Sequence, residues 1–104
     1  MNWNTKETKM LIEAFLALET PQEVKDFLRD ILTEKEIVEI SKRLQVADML
    51  SRNTSYTEIE QKTGFSSTTV ARVSKWLTTG TGGYKNILNK IHHHTPTKLT
   101  RGLS

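Results

Sequence analysis

The chain contains no cysteine. Disulfides and thiolate metal ligands are therefore excluded, and a reducing compartment fits. No unbroken apolar run opens the chain: Lys6, Glu7, Lys9, Glu13 and Glu19 interrupt its first twenty residues. Neither a signal peptide nor a membrane span is expected, so a soluble cytoplasmic protein with no membrane partner is. Acidic residues are missing from the whole second part. All 12 Asp and Glu lie within positions 1–60, where 8 Lys and Arg leave a net charge of −4. Residues 61–104 hold 7 Lys and Arg and no acid, a net +7. Such asymmetry points to a polyanion-binding face carried on a scaffold that is not itself basic.

What is present is helical. At 104 residues and 36% hydrophobic composition, the chain suits one domain with a modest core, and it can borrow burial from a second subunit. Met10, Leu11, Ala14, Phe15 and Leu18 recur at helical spacing and predict a first helix over about 4–19. Three capping boxes follow, at Thr20-Pro21-Gln22-Glu23, Thr33-Glu34-Lys35-Glu36 and Ser55-Tyr56-Thr57-Glu58. Each opens a further helix. Val24, Phe27, Leu28 and Ile31 give the second its apolar face; Ile37, Ile40, Leu44, Ala47 and Leu50 give the third. The fourth is short and stops at Gly64. Ser66 caps a fifth, running to about Leu77 with Val70, Val73, Trp76 and Leu77 as its apolar positions. After Thr78-Thr79-Gly80-Thr81-Gly82-Gly83, a sixth spans Tyr84 to about Ile91. No alternating run demands a strand. The expected organisation is one all-α domain over 1–91, followed by a mobile tail over 92–104.

Residues 55–77 have the layout of a helix-turn-helix: short helix, glycine turn, second helix. Ile59, Val70, Val73 and Leu77 are expected to face the scaffold, with Phe65 in the angle. Ser66, Ser67, Thr68, Thr69, Arg72 and Lys75 are then left outward or sideways. Hydroxyl side chains at the start of such a helix allow close approach to a major groove and hydrogen bonding to base edges. The helix N-terminus favours phosphate. Arg72 and Lys75 reach phosphates further along, while Ser55, Thr57, Gln61 and Lys62 on the first helix suit the flanking backbone. The competing reading is an ordinary helical hairpin, which has no reason to exclude acids. The expected partner is double-stranded DNA.

The sequence resembles the tryptophan repressor superfamily, and within it the YerC/YecD-type subgroup, from the first helix to about Ile91. The resemblance rests on Leu32-Thr33-Glu34-Lys35-Glu36, on Ser41-Lys42-Arg43-Leu44, and on Ser55-Tyr56-Thr57-Glu58-Ile59. It continues through Gly64-Phe65-Ser66-Ser67-Thr68-Thr69-Val70-Ala71-Arg72-Val73 and the trailing Gly80-Thr81-Gly82-Gly83-Tyr84. It implies a six-helix Trp-repressor-like fold, an intertwined homodimer and transcriptional regulation, with repression the expected sign. In the tryptophan-sensing repressor the ligand's indole lies between two arginines, and a threonine helps hold its carboxylate. Thr33, Arg43 and Arg72 match those positions. Val73 stands where that repressor has glycine, and Trp76 where it has serine. Both add bulk to the possible ligand pocket formed by Thr33, Arg43, Arg72, Val73 and Trp76, so L-tryptophan is not expected as co-repressor. Two readings of Trp76 stand: it takes part of the ligand's space, or it is a core aromatic. Arg43 and Arg72 are alternatively salt-bridge or phosphate partners.

Other chemistry is sparse. His92-His93-His94 point in different directions on any regular backbone and lack thiol or acidic neighbours, so no metal site is expected. Gly80-Thr81-Gly82-Gly83 lacks the Lys-Ser/Thr of a phosphate-binding loop. No catalytic constellation is present, and the chain is expected to be no enzyme and to need no cofactor. Two other functions fit the same hairpin: a protein-interaction adaptor without DNA affinity, and a repressor gated by a small molecule other than tryptophan.

Overall fold

The computed structural model describes the backbone of residues 1–103 and the side chains of residues 1–93. Its elements are α1 (Lys6–Leu16), α2 (Pro21–Ile31), α3 (Glu34–Ser51), α4 (Tyr56–Thr63), α5 (Ser67–Thr79) and α6 (Gly83–Leu103). Among the described residues there are six helices and no strand, as the sequence pattern predicts. The chain divides into two units, Met1–Val38 and Glu39–Ser104.

In the first unit, side-chain caps set the helix ends. Thr5 Oγ1 accepts from the Thr8 N–H at 3.1 Å, which starts α1 two residues later than the apolar spacing alone predicts. Thr20 Oγ1 accepts from the Glu23 N–H at 3.1 Å, with Pro21 in the first turn. The Glu23 carboxylate reaches past the cap and accepts from the Glu19 N–H at 2.9 Å. That bond ties Glu19 to the start of α2, so α1 ends at Leu16 rather than near Glu19. The second box closes fully: Glu36 N–H donates to Thr33 Oγ1 at 3.1 Å, and Thr33 N–H donates to Glu36 Oε1 at 2.9 Å. The backbone and side chain of Thr33 hold the Glu36 carboxyl below the usual carboxylate range.

A group with a depressed native pKa stabilises the fold above its unfolded pKa, and that contribution is lost as pH falls through the native value. The stability difference between native protein and Glu36→Gln should therefore shrink as urea melts are taken down through the acid range.

Phe15 and Phe27 meet edge-on, with centroids 5.3 Å apart and planes at 82°, and so join α1 to α2. No residue of this unit is buried. Met10 and Leu16 are 72% and 80% exposed, and Leu11, Phe15 and Ile31 are exposed with them.

The second unit has a core. Val46 and Ala47 of α3, Ile59 of α4, and Val70 and Val73 of α5 are fully buried, and Leu88 of α6 nearly so. Leu44, Met49, Leu50, Phe65 and Tyr84 pack around them. The apolar stripe predicted for α3 is therefore only partly right. Ala47 and Leu50 face the core as expected, but Val46 joins them and Ile40 lies exposed. The buried part of α3 lies in its C-terminal half, where α4, α5 and α6 supply packing partners, and Ile40 falls before it. Asn53 ends the segment in the left-handed region at φ 62°, and the Thr54 N–H returns to the Met49 carbonyl at 3.0 Å.

The last helix runs past the predicted end at Ile91, because no helix-stopping residue follows immediately. His92 Nε2 lies 2.7 Å from Asp48 Oδ1, the same oxygen that Arg52 Nε approaches at 3.4 Å. This histidine is thus tied to α3 rather than fully solvated. The side chains of 94–104, on which most of the expected mobile tail and His94 fall, lie outside the described residues. Among the described residues no helix is long and apolar enough to cross a membrane.

Candidate nucleic-acid interface

The candidate interface is built on α4 and α5, and local chemistry shapes the turn between them. Ser55 caps α4 by accepting from the Glu58 N–H at 3.2 Å. Glu58 does not return the bond as a full capping box would. Its carboxylate pairs with Lys62 Nζ at 3.0 Å, one turn along the same exposed face. Ile59 points inward and is fully buried.

Gly64 ends α4 at φ 78°, where a Cβ would be strained. Thr63, just before it, is only 5% exposed. Its hydroxyl donates to the Ile59 carbonyl at 2.7 Å and accepts from the Phe65 N–H at 3.3 Å. This residue pins the turn, and the sequence reading missed it; the available signal was a hydroxyl side chain one residue before the stop glycine. Thr63→Val keeps the shape and removes both bonds. It should cost about 1–3 kcal/mol by urea unfolding, because a half-buried N–H is left without a partner.

Ser66 caps α5. Its Oγ accepts from the Thr69 N–H at 3.3 Å and lies 3.2 Å from Thr69 Oγ1. Val70 and Val73 enter the core. The opposite side is open: Ser67, Thr68, Ala71, Arg72 and Lys75 are exposed, whereas Thr69 is half-buried beside its cap. At 100° per residue, Thr68, Ala71, Arg72 and Lys75 share one face. They line a recess of about 630 Å³ together with Thr79.

No carboxylate occurs on α5, and among the described residues neither Arg72 nor Lys75 forms an ion pair. The first-turn N–H groups of Ser67 and Thr68 have no helical acceptor. On α4, Thr57, Gln61 and Lys62 are exposed, though Lys62 is shared with Glu58. The result is an exposed helical face with hydroxyl groups at its start and two free cations further on, set on a buried valine pair.

A cap-turn-helix unit of this kind, preceded by three helices and followed by a sixth, matches the Trp repressor protein family over residues 6–92. The chain belongs to the Trp repressor family. It is 35% identical over 86 residues to the YerC protein of Bacillus subtilis, covering 83% of each chain. A TrpR-like protein from Eubacterium eligens superposes with a TM-score of 0.82 at 34% identity, over 86% of this chain and 93% of that one. A protein from Staphylococcus aureus superposes at 0.81 with 35% identity, over 88% and 95% of the two chains. The family resemblance read from the sequence, including its YerC-type subgroup, is thereby established.

Within this Trp repressor family member, the possible ligand-pocket residues have different surroundings. Val73 is fully buried in the core. Thr33 belongs to the first unit and caps α3. Arg43 and Trp76 do come together: the guanidinium carbon lies 5.7 Å from the indole centroid, within cation–π range. Glu39 Oε2 pairs with the same Arg43 guanidinium at 3.6 Å. Trp76 also lines the recess that contains Arg72. It is 39% exposed, so it lies outside the core in which an ordinary packing aromatic would sit. A second cavity of about 520 Å³, almost wholly apolar, lies against Trp76, Ile40, Leu44, Tyr84 and Ile87. Gly80 borders both spaces, and a Cβ there would fall 2.3 Å from the Trp76 carbonyl oxygen.

Proposed function

We propose that the protein is a sequence-reading, duplex-DNA-binding transcriptional regulator of repressor type, acting in the cytoplasm as a homodimer. The observation that carries this reading is the two-sided character of α5. Val70 and Val73 are fully buried, while Thr68, Arg72 and Lys75 stand exposed on an acid-free face. Side chains so placed match the major-groove edge and its flanking phosphates. Ser55 keeps a hydroxyl proton to give to phosphate although its oxygen already accepts a capping bond.

The dimer rests on the first unit. It buries nothing, yet displays Met10, Leu11, Phe15 and Leu16 together with Ile31. An apolar surface of that extent calls for a partner, and a second copy of this chain is the partner proposed.

Selection of binding sites from a random duplex pool tests both parts. The expected product is a two-fold related pair of half-sites with centres about 34–36 Å apart. Recovery of single half-sites would refute the dimer, and recovery of no site would refute DNA reading and leave the adaptor.

We further propose that L-tryptophan is not the co-repressor. Trp76 already stacks under Arg43 and lines the recess of Arg72, so the chain's own indole takes the place a ligand's would. Isothermal titration should show no micromolar heat with L-tryptophan. Micromolar binding by the native protein would overturn the assignment.

A further inference from the structure

We propose that Ala71 reads the C5-methyl group of a thymine, which makes it a specificity-determining residue of the interface. This inference rests on the DNA-binding reading above. Among the exposed side chains of the α5 face, Thr68, Arg72 and Lys75 can all hydrogen-bond, and Ala71 cannot. Its methyl lines the same recess of about 630 Å³ as Thr68, Arg72, Lys75 and Trp76.

The recess is lined by the Ala71 methyl and by the cations Arg72 and Lys75. Phosphates satisfy the cations. Of the features a base pair shows in the major groove, the thymine methyl alone is apolar, and a small aliphatic side chain is what meets it. Helical geometry supports the assignment. Thr68 lies one turn before Ala71 and Lys75 one turn after. A base seated against the methyl is therefore flanked by a hydroxyl that can address the neighbouring base edge and an ammonium that can address the strand's phosphate.

Core packing does not account for the position. Ala71 is exposed and lies on the side of α5 opposite Val70 and Val73, so core packing does not require a small residue there.

The test uses the full chain and the tightest duplex selected from a random pool. Each thymine of one half-site is replaced in turn by deoxyuridine, which differs only by that methyl. One replacement should weaken native binding about four-fold per half-site, the effect of one buried methyl group. The same replacement should leave Ala71→Gly unaffected. Ala71→Ser, which keeps the helix better than glycine, should bind the two duplexes within a factor of two of each other (roughly equal on this scale). Circular dichroism establishes that both variants are folded.

A native protein indifferent to every deoxyuridine replacement would overturn the inference while leaving DNA binding intact. So would a selected site without thymine, or variants that lose as much as the native protein on deoxyuridine. Failure to select any duplex would instead sink the DNA-binding reading and the inference with it.

Discussion

Ile59→Ala should lower stability by about 2–5 kcal/mol, the range for removing a large buried aliphatic side chain. Ile59 is fully buried and belongs to the cluster that also holds Val46, Val70 and Val73. Its loss leaves a cavity where α3, α4 and α5 converge, and none of the three can collapse without moving the others. A small domain has only about 5–15 kcal/mol in total, so the variant should show a much reduced urea midpoint at matched protein concentration. The functional consequence follows from the same contact. The seat of α5 is disturbed while every exposed group remains, so affinity should fall for all duplexes alike. A loss below about 1 kcal/mol, as for a surface change, would show that this cluster does not hold α4 and α5 together.

The second large effect is electrostatic. Combining Arg72→Ala with Lys75→Ala removes both unpaired cations from the exposed face of α5. In the proposed dimer four phosphate contacts vanish. The slope of log affinity against log salt should flatten by about four units, one per contact, and affinity near about 100 mM salt should fall by roughly 10³-fold. Stability should change little, because neither residue is buried or ion-paired among the described residues. Lys62→Ala is the internal contrast. Lys62 already shares its charge with Glu58 at 3.0 Å, so its removal should move the slope by less than either α5 cation does.

Much of this architecture could be read before any coordinates, for identifiable reasons. Hydroxyl caps act within three or four residues, so Thr20, Thr33, Ser55 and Ser66 announced four helix starts by local chemistry alone. Gly64 announced the turn because its φ of 78° favours glycine. Val70 and Val73 were legible because a short helix has one apolar side.

What escaped depends on tertiary arrangement. The burial of Val46 and exposure of Ile40 are decided by how far α4, α5 and α6 reach along α3, which periodicity does not encode. Thr63 reads as one more polar surface residue until its hydroxyl is seen bridging Ile59 and Phe65. Trp76 fits the apolar spacing of α5, yet it lies outside the core under Arg43, since a cation–π contact leaves no mark at fixed sequence separation. His92 pairs with Asp48 across 44 positions. Ala71 was passed over because an exposed alanine in a helix attracts no notice until its neighbours Thr68, Arg72 and Lys75 are found around one recess.

Fluorescence anisotropy of the unmodified protein on labelled duplex DNA, repeated as salt is raised, confronts the proposed role most directly. Binding should be firm at about 50 mM and weaken by roughly 10³-fold or more by about 200 mM, as expected for about six neutralised phosphates. Absence of association at the lowest salt, or an affinity indifferent to it, would contradict the assignment of α5 as a DNA-reading helix.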